Sequence, residues 1–173
     1  MKLVPRIILF SAIIFSDCLY AQTCGVDAPA LSSDTRFFIN EDNTITDLES
    51  GLTWMRCSVG MVWDGKICIG SPRLMDWAQA KHWGQTMKLG AYTWRLPQLS
   101  ELATLVEREC RHSAAPRINH RYFPNTPLSP FWTANATPGR ENHYYVLGFD
   151  ARGVGSYLMD LKFALRLVAG REN

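Results

Sequence analysis

The chain has no Cys-x-x-Cys pair. Its four histidines, His82, His112, His120 and His143, stand at no spacing that would let them ligate one metal ion. A structural zinc centre is therefore not expected, and no cofactor is called for. The chain also lacks heptads and collagen triplets, so any homo-oligomer has to form through the domain itself. There is no internal repeat and no low-complexity tract. Neither sign of charge dominates: 18 Lys and Arg against 16 Asp and Glu give a formal +2. So balanced a chain does not suggest bulk nucleic-acid binding. Nor is there a long apolar run, because the stretch from Ile7 to Phe15 is too short to span a bilayer as a helix.

That short run has another reading. Lys2 and Arg6 precede it, and Leu19-Tyr20-Ala21 follows it. A basic start, an apolar middle and a small-residue end are the layout of a secretory signal peptide. Cleavage after Ala21 removes Lys2, Arg6 and Asp17 and brings the net charge to +1. The competing readings are an uncleaved anchor or a lipidated Cys18. Residues 1–21 are thus expected to be a signal peptide and 22–35 a polar tether. The remainder, 36–170, is long enough for one domain with a real core. The expected location is secreted, periplasmic or at the cell surface, with no stable membrane span after cleavage.

Cleavage leaves Cys24, Cys57, Cys68 and Cys110. An even cysteine number in an exported chain implies two disulfides, with three connectivities open. Cys57–Cys68 is the most readily argued, since "CSVGMVWDGKIC" carries Gly60 and Gly65 and a short loop can close on itself. Cys24 would then pair with Cys110. Peptide mapping that joined Cys57 to Cys110 would overturn both.

Strand-like pieces flank the polar turn Asn40-Glu41-Asp42-Asn43, and "GLTWMRC" follows as a third. "MDWAQAKHWGQTMK" reads as a helix capped by Asp76, with Trp77, Ala80, Gly84 and Met87 on one face. "LSELATLVEREC" reads as a second helix that buries Leu99, Leu102, Leu105 and Val106. A proline-rich loop comes next. Four strand signals end the chain: "FWTANA", "HYYVLGF", "GSYLMD" and "FALRLV", with a hairpin turn at Asp150-Ala151-Arg152-Gly153. Strands, two helices, a long loop and antiparallel strands in that order predict an α+β fold.

Between the helices lies "AYTWRLPQLSEL". Pro97 fixes its own backbone and pushes Leu96 to extended geometry. Trp94 and Leu96 are expected to bury, and Trp54, like them, to serve the fold. Arg95 is expected to pair with a buried acid or with carbonyls, a structural role.

Together, "RFFINEDNTITDLESGLTWMRC", "GMVWDGKICIG", "MDWAQA", "YTWRLPQLSEL", "INHRYFPNTPLSPFWTA" and "LRLV" resemble the DUF1566 family across residues 36–168. That family includes the C-terminal domain of the Legionella collagen-like adhesin. The resemblance implies a C-type-lectin-like fold, with two helices packed on antiparallel sheets and long loops. It also implies export and, from the adhesin member, binding of sulfated polysaccharides and trimeric assembly. Two positions depart from the family. Gln98 stands where an asparagine cap is usual, and no cysteine lies near Leu167.

Sugar recognition needs aromatic faces and planar polar groups, and acidic sugars add a need for arginine. "RHSAAPRINHRY" supplies Arg111, His112, Arg117, His120, Arg121 and Tyr122, and "FWTAN" adds Trp132 and Asn135. These are the candidate ligand-binding residues of a non-catalytic module, whose partner is a glycan or a cell-surface protein. The alternative is a subunit of a surface assembly with Tyr144 or Tyr157 at an interface. An enzyme is the weakest reading. A formylglycine-generating-type oxidase needs paired late cysteines, and none follows Cys110. Ser129, His143 and Asp150 have no nucleophile elbow, and nothing local marks Glu101 or Asp150 as acid and base.

Overall fold

A computed structural model describes residues 35–107 and 116–170. The signal peptide, the tether, Cys24, Cys110, Arg111 and His112 lie outside the described residues. The architecture is mixed helix and antiparallel sheet, with two helices and, among the described residues, one disulfide.

Strands β1 (Phe37–Ile39), β2 (Ile45–Asp47) and β3 (Leu52–Trp54) form a meander in which Ile45 faces Trp54 in register. The first turn works because Asn43 accepts a left-handed φ of 62°, a conformation asparagine tolerates. Asp42 secures that turn, its carboxylate accepting the amide and the hydroxyl of Thr44 at 3.0 and 2.6 Å. The stretch from Cys57 to Cys68 holds a small hairpin of β4 (Val62–Trp63) and β5 (Cys68–Ile69), closed by the Cys57–Cys68 disulfide.

Helix α1 (Trp77–Thr86) starts where expected: Asp76 accepts the Gln79 amide at 2.8 Å. Its stripe turns inward, with Ala80 and Gly84 buried and Trp77 and Met87 half-buried. Helix α2 (Leu99–Ala103) is only five residues long. The expectation of a helix running on to Cys110 is corrected. The Thr104 hydroxyl bonds back to the Glu101 carbonyl at 2.7 Å, and the following amides make tighter three-residue bonds. The Glu107 amide then donates to Arg117, on the far side of the loop, instead of continuing the helix.

β6 (Phe131–Ala136), β7 (His143–Leu147) and β8 (Val154–Leu158) make a second antiparallel sheet. "FALRLV" forms a ladder only at its end, as β9 (Val168–Ala169), which joins β3. Before that, Phe163 bridges Met75 and Ala164 bridges Phe131, so this segment stitches the two sheets and α1 together.

The core has two parts. One gathers Trp54, Leu102, Phe123, Phe131 and Phe149; the other gathers Met75, Trp94, Leu96, Trp132 and Leu165. Between them sits Arg166, wholly buried in an apolar run. Its Nη1 donates to the carbonyls of Met55 (2.7 Å) and Arg56, and its Nη2 to the hydroxyls of Thr126 (2.9 Å) and Ser58 (3.4 Å). Burial pulls its pKa down to about 9, which leaves it cationic at neutral pH. One arginine thus ties the end of β3, the long loop and the last strand to a single point.

Candidate functional site

The Trp-Arg-Leu-Pro corner is held from three sides. Arg95 exchanges backbone hydrogen bonds with Val168 at 2.9 and 3.0 Å. The Pro97 carbonyl accepts the Ala134 amide at 2.8 Å, and Asn135 Oδ1 accepts the Leu99 amide at 2.6 Å. Trp94 is buried, and its indole N–H reaches the Leu89 carbonyl at 2.8 Å. Gly84 lets α1 lie close against this corner, because a Cβ there would sit 3.2 Å from the Arg95 Cα. The Arg95 guanidinium grips Glu101. The corner holds the fold.

Among the described residues of the loop cluster, the two aromatic rings lie in the core. Tyr122 is buried against Phe37, with ring centroids 5.1 Å apart. Trp132 is buried as well, its indole N–H on the Met75 carbonyl at 2.8 Å and its ring edge-on to Phe163. Neither ring offers a face to a sugar, so both are corrected from ligand residues to core. Asn135, half-buried, uses its Oδ1 to cap α2 from the neighbouring strand and supplies what Gln98 lacks. Arg117 is spent on the loop, its guanidinium donating to the Asp150 carbonyl and its carbonyl accepting from Glu107. His120 is half-buried and Arg121 is exposed.

The drawn catalytic groups also stand apart. The Ser129 hydroxyl donates to the Pro130 carbonyl, His143 Nδ1 contacts the Glu141 carbonyl, and Asp150 pairs with Arg152. Burial acts to raise the Glu101 carboxyl pKa, but Arg95 and the Gln98 amide outweigh it and hold it below the ordinary range. Asp150 is held down by Arg152 against a similar burial effect. Both stay ionised near neutral pH, which suits an ion pair and not a general acid.

An open groove of about 440 Å³ lies on the outer face of α1, lined by Arg73, Ala78, Gln79, His82 and Trp83. The Arg73 guanidinium lies 5.4 Å from the Trp83 ring centre. Arg73 is placed by its amide, which donates to Val59 at 2.8 Å, and by Gly60 beside it. A Cβ on Gly60 would fall 2.5 Å from the Arg73 nitrogen, and φ there is +95°, so only glycine fits. Ala78 is small enough to leave the groove open. The result is an aromatic ring, a guanidinium, an amide and an imidazole around one concavity. Sequence reasoning missed this set, although a signal existed. Trp83 stands at the edge of the stripe of Trp77, Ala80, Gly84 and Met87, so its ring packs partly against the second part of the core while also lining the groove.

A second concavity, of about 420 Å³, is lined by Arg36, Asp47, Glu49, Ser50, Ala103, Thr104 and Val106. Its polar groups are used internally. Arg36 grips Asp47 at 3.1 and 2.7 Å and reaches the Thr104 carbonyl at 3.0 Å, clasping β2 to the end of α2.

The family model of the Lcl C-terminal domain matches residues 43–169, most of the chain. The chain belongs to the Lcl C-terminal domain family. No curated protein and no solved structure matches it. The Lcl C-terminal match takes in the Trp-Arg-Leu-Pro corner, the buried Arg56 and Arg166, and the whole α1 groove. Among the described residues no helix is long and apolar enough to cross a membrane.

Proposed function

We propose that this Lcl C-terminal domain is an exported, non-catalytic binding module of the adhesin type, on a C-type-lectin-like scaffold, that recognises carbohydrate. The observation that carries the reading is the α1 groove. Trp83 offers a ring for the apolar face of a sugar. Gln79 and His82 offer planar polar groups for hydroxyls, and Arg73 suits a carboxylate or a sulfate. The ligand class is therefore an acidic or sulfated glycan. Retention on immobilised heparin, compared with a neutral polysaccharide, tests this. Salt-resistant retention that drops in Arg73→Ala supports it; passage of the folded protein straight through both columns rejects it.

A second reading, assembly with further copies or with a surface protein, has an observation in its favour. Among the described residues β8 pairs only with β7, and Val154, Tyr157 and Leu158 on it are exposed. Light scattering on the oxidised protein separates a monomeric module from an assembly subunit.

A further inference from the structure

Two arginines sit in apolar stretches of the sequence, Arg56 in "LTWMRC" and Arg166 in "ALRLV". Arg166 is compensated by four neutral acceptors and by the faces of Phe123 and Phe131. Arg56 is not. Only 9% of it is exposed, yet its one side-chain hydrogen bond is a 3.3 Å contact from Nη2 to the Arg121 carbonyl. Its Nε is buried with no partner. Its guanidinium carbon lies 3.5 Å from the Trp63 ring centre. No carboxylate pairs with it among the described residues, and burial lowers its pKa with no acid opposing the effect. A desolvated cation is ordinarily met by an opposite charge.

The stack is also built covalently. Arg56 precedes Cys57, Cys57 is bonded to Cys68, and Cys68 stands opposite Trp63 in the β4–β5 ladder. The disulfide therefore fixes the ring and the guanidinium relative to each other. Trp63 stacks on the guanidinium, Nε is closed off, and Nη2 already reaches the Arg121 carbonyl. The terminal Nη1–Nη2 edge is what remains for a ligand, and such an edge can make two parallel bonds to a planar or tetrahedral oxyanion.

We propose that Arg56 stacked on Trp63 is a binding site for a small oxyanion, a carboxylate or a sulfate monoester, separate from the α1 groove. The test is a titration of the oxidised, ¹⁵N-labelled protein with sodium methyl sulfate, sodium acetate and sodium chloride at constant ionic strength. The readouts are the Trp63 indole N–H, assigned by its loss in Trp63→Phe, and the Arg56 Nε–H. A saturable shift with methyl sulfate, acetate or both, absent with chloride, is expected. Acetate alone assigns a carboxylate ligand, and methyl sulfate alone assigns a sulfate ester. Arg56→Lys keeps the charge but loses the fork, and should weaken the response about tenfold. Arg73→Ala should leave the titration unchanged, so failure here and failure of the groove are told apart. Parallel, unsaturating shifts with all three salts overturn the proposal, as does an unaltered titration in Arg56→Lys.

Discussion

Both terminal nitrogens of Arg95 donate to the carboxylate of Glu101, at 2.8 and 2.7 Å. The same carboxylate accepts the Gln98 amide at 2.7 Å, so one side chain closes the corner and satisfies the first turn of α2. Glu101→Gln keeps the shape but loses the charge and half of the fork. Because the pair is only part-buried, the expected cost is about 1–2 kcal/mol. Urea unfolding should show it as a lower midpoint with an unchanged slope.

The acid limb of stability should follow from the same pair and from Arg36–Asp47. Asp47 feels burial first, which raises its pKa, but Arg36 and nearby donors overcome this and hold it below its ordinary 3.8. Glu101 is likewise below its ordinary 4.5. Depressed carboxyl pKa values mean the unfolded chain binds protons first as pH falls. The stabilisation is complete above the ordinary values and disappears as pH drops through the folded ones. Thermal melts should be flat in this respect from neutral pH down to about 5 and then decline. Glu101→Gln should make that decline shallower; an equally steep decline would remove Glu101 from its cause.

Asn135 makes a separable contribution. Its side-chain oxygen caps α2 from β6 across 36 positions of sequence. Asn135→Ala should cost about 1 kcal/mol, the usual worth of a cap, and Asn135→Asp should recover most of it. Hydrogen exchange at the Leu99 amide is the local readout: it should quicken in the alanine variant and be restored in the aspartate.

Several elements were legible from local chemistry alone. Asp76 before an apolar stripe names a helix start, and short β-rich runs around Asn40–Asn43 name a hairpin. What failed was non-local. Nothing near Gln98 announces that Asn135 will serve as its cap. Tyr122 and Trp132 were read as ligands because polar and proline-rich residues surround them, yet contacts with Phe37 and Phe163 bury both. After α2 the amides of Thr104, Leu105 and Val106 turn to tighter three-residue bonds, and the Glu107 amide goes to the Arg117 carbonyl across the loop. The groove was readable only as the complement of the buried face of α1.

Arg166 should be the least replaceable polar residue of the described fold. Arg166→Met fills similar volume but strands the carbonyls of Met55 and Arg56 and the hydroxyl of Thr126 without a donor. A loss of about 3 kcal/mol or more is expected. Arg166→Lys retains one point donor and should fall between the two. Denaturant unfolding that ranked methionine equal to wild type would show that the buried cation contributes no net stability.

The most direct measurement is a glycan array probed with the folded, oxidised protein beside its Trp83→Ala and Arg73→Ala variants. Wild type is expected to bind acidic or sulfated glycans. Each variant should bind about tenfold more weakly. Arg73→Ala should keep the same melting profile, while Trp83→Ala, whose ring also packs against the core, should melt lower and is compared below its own transition. Binding that is absent in the wild type, or unchanged in both variants, would contradict carbohydrate recognition at the α1 groove.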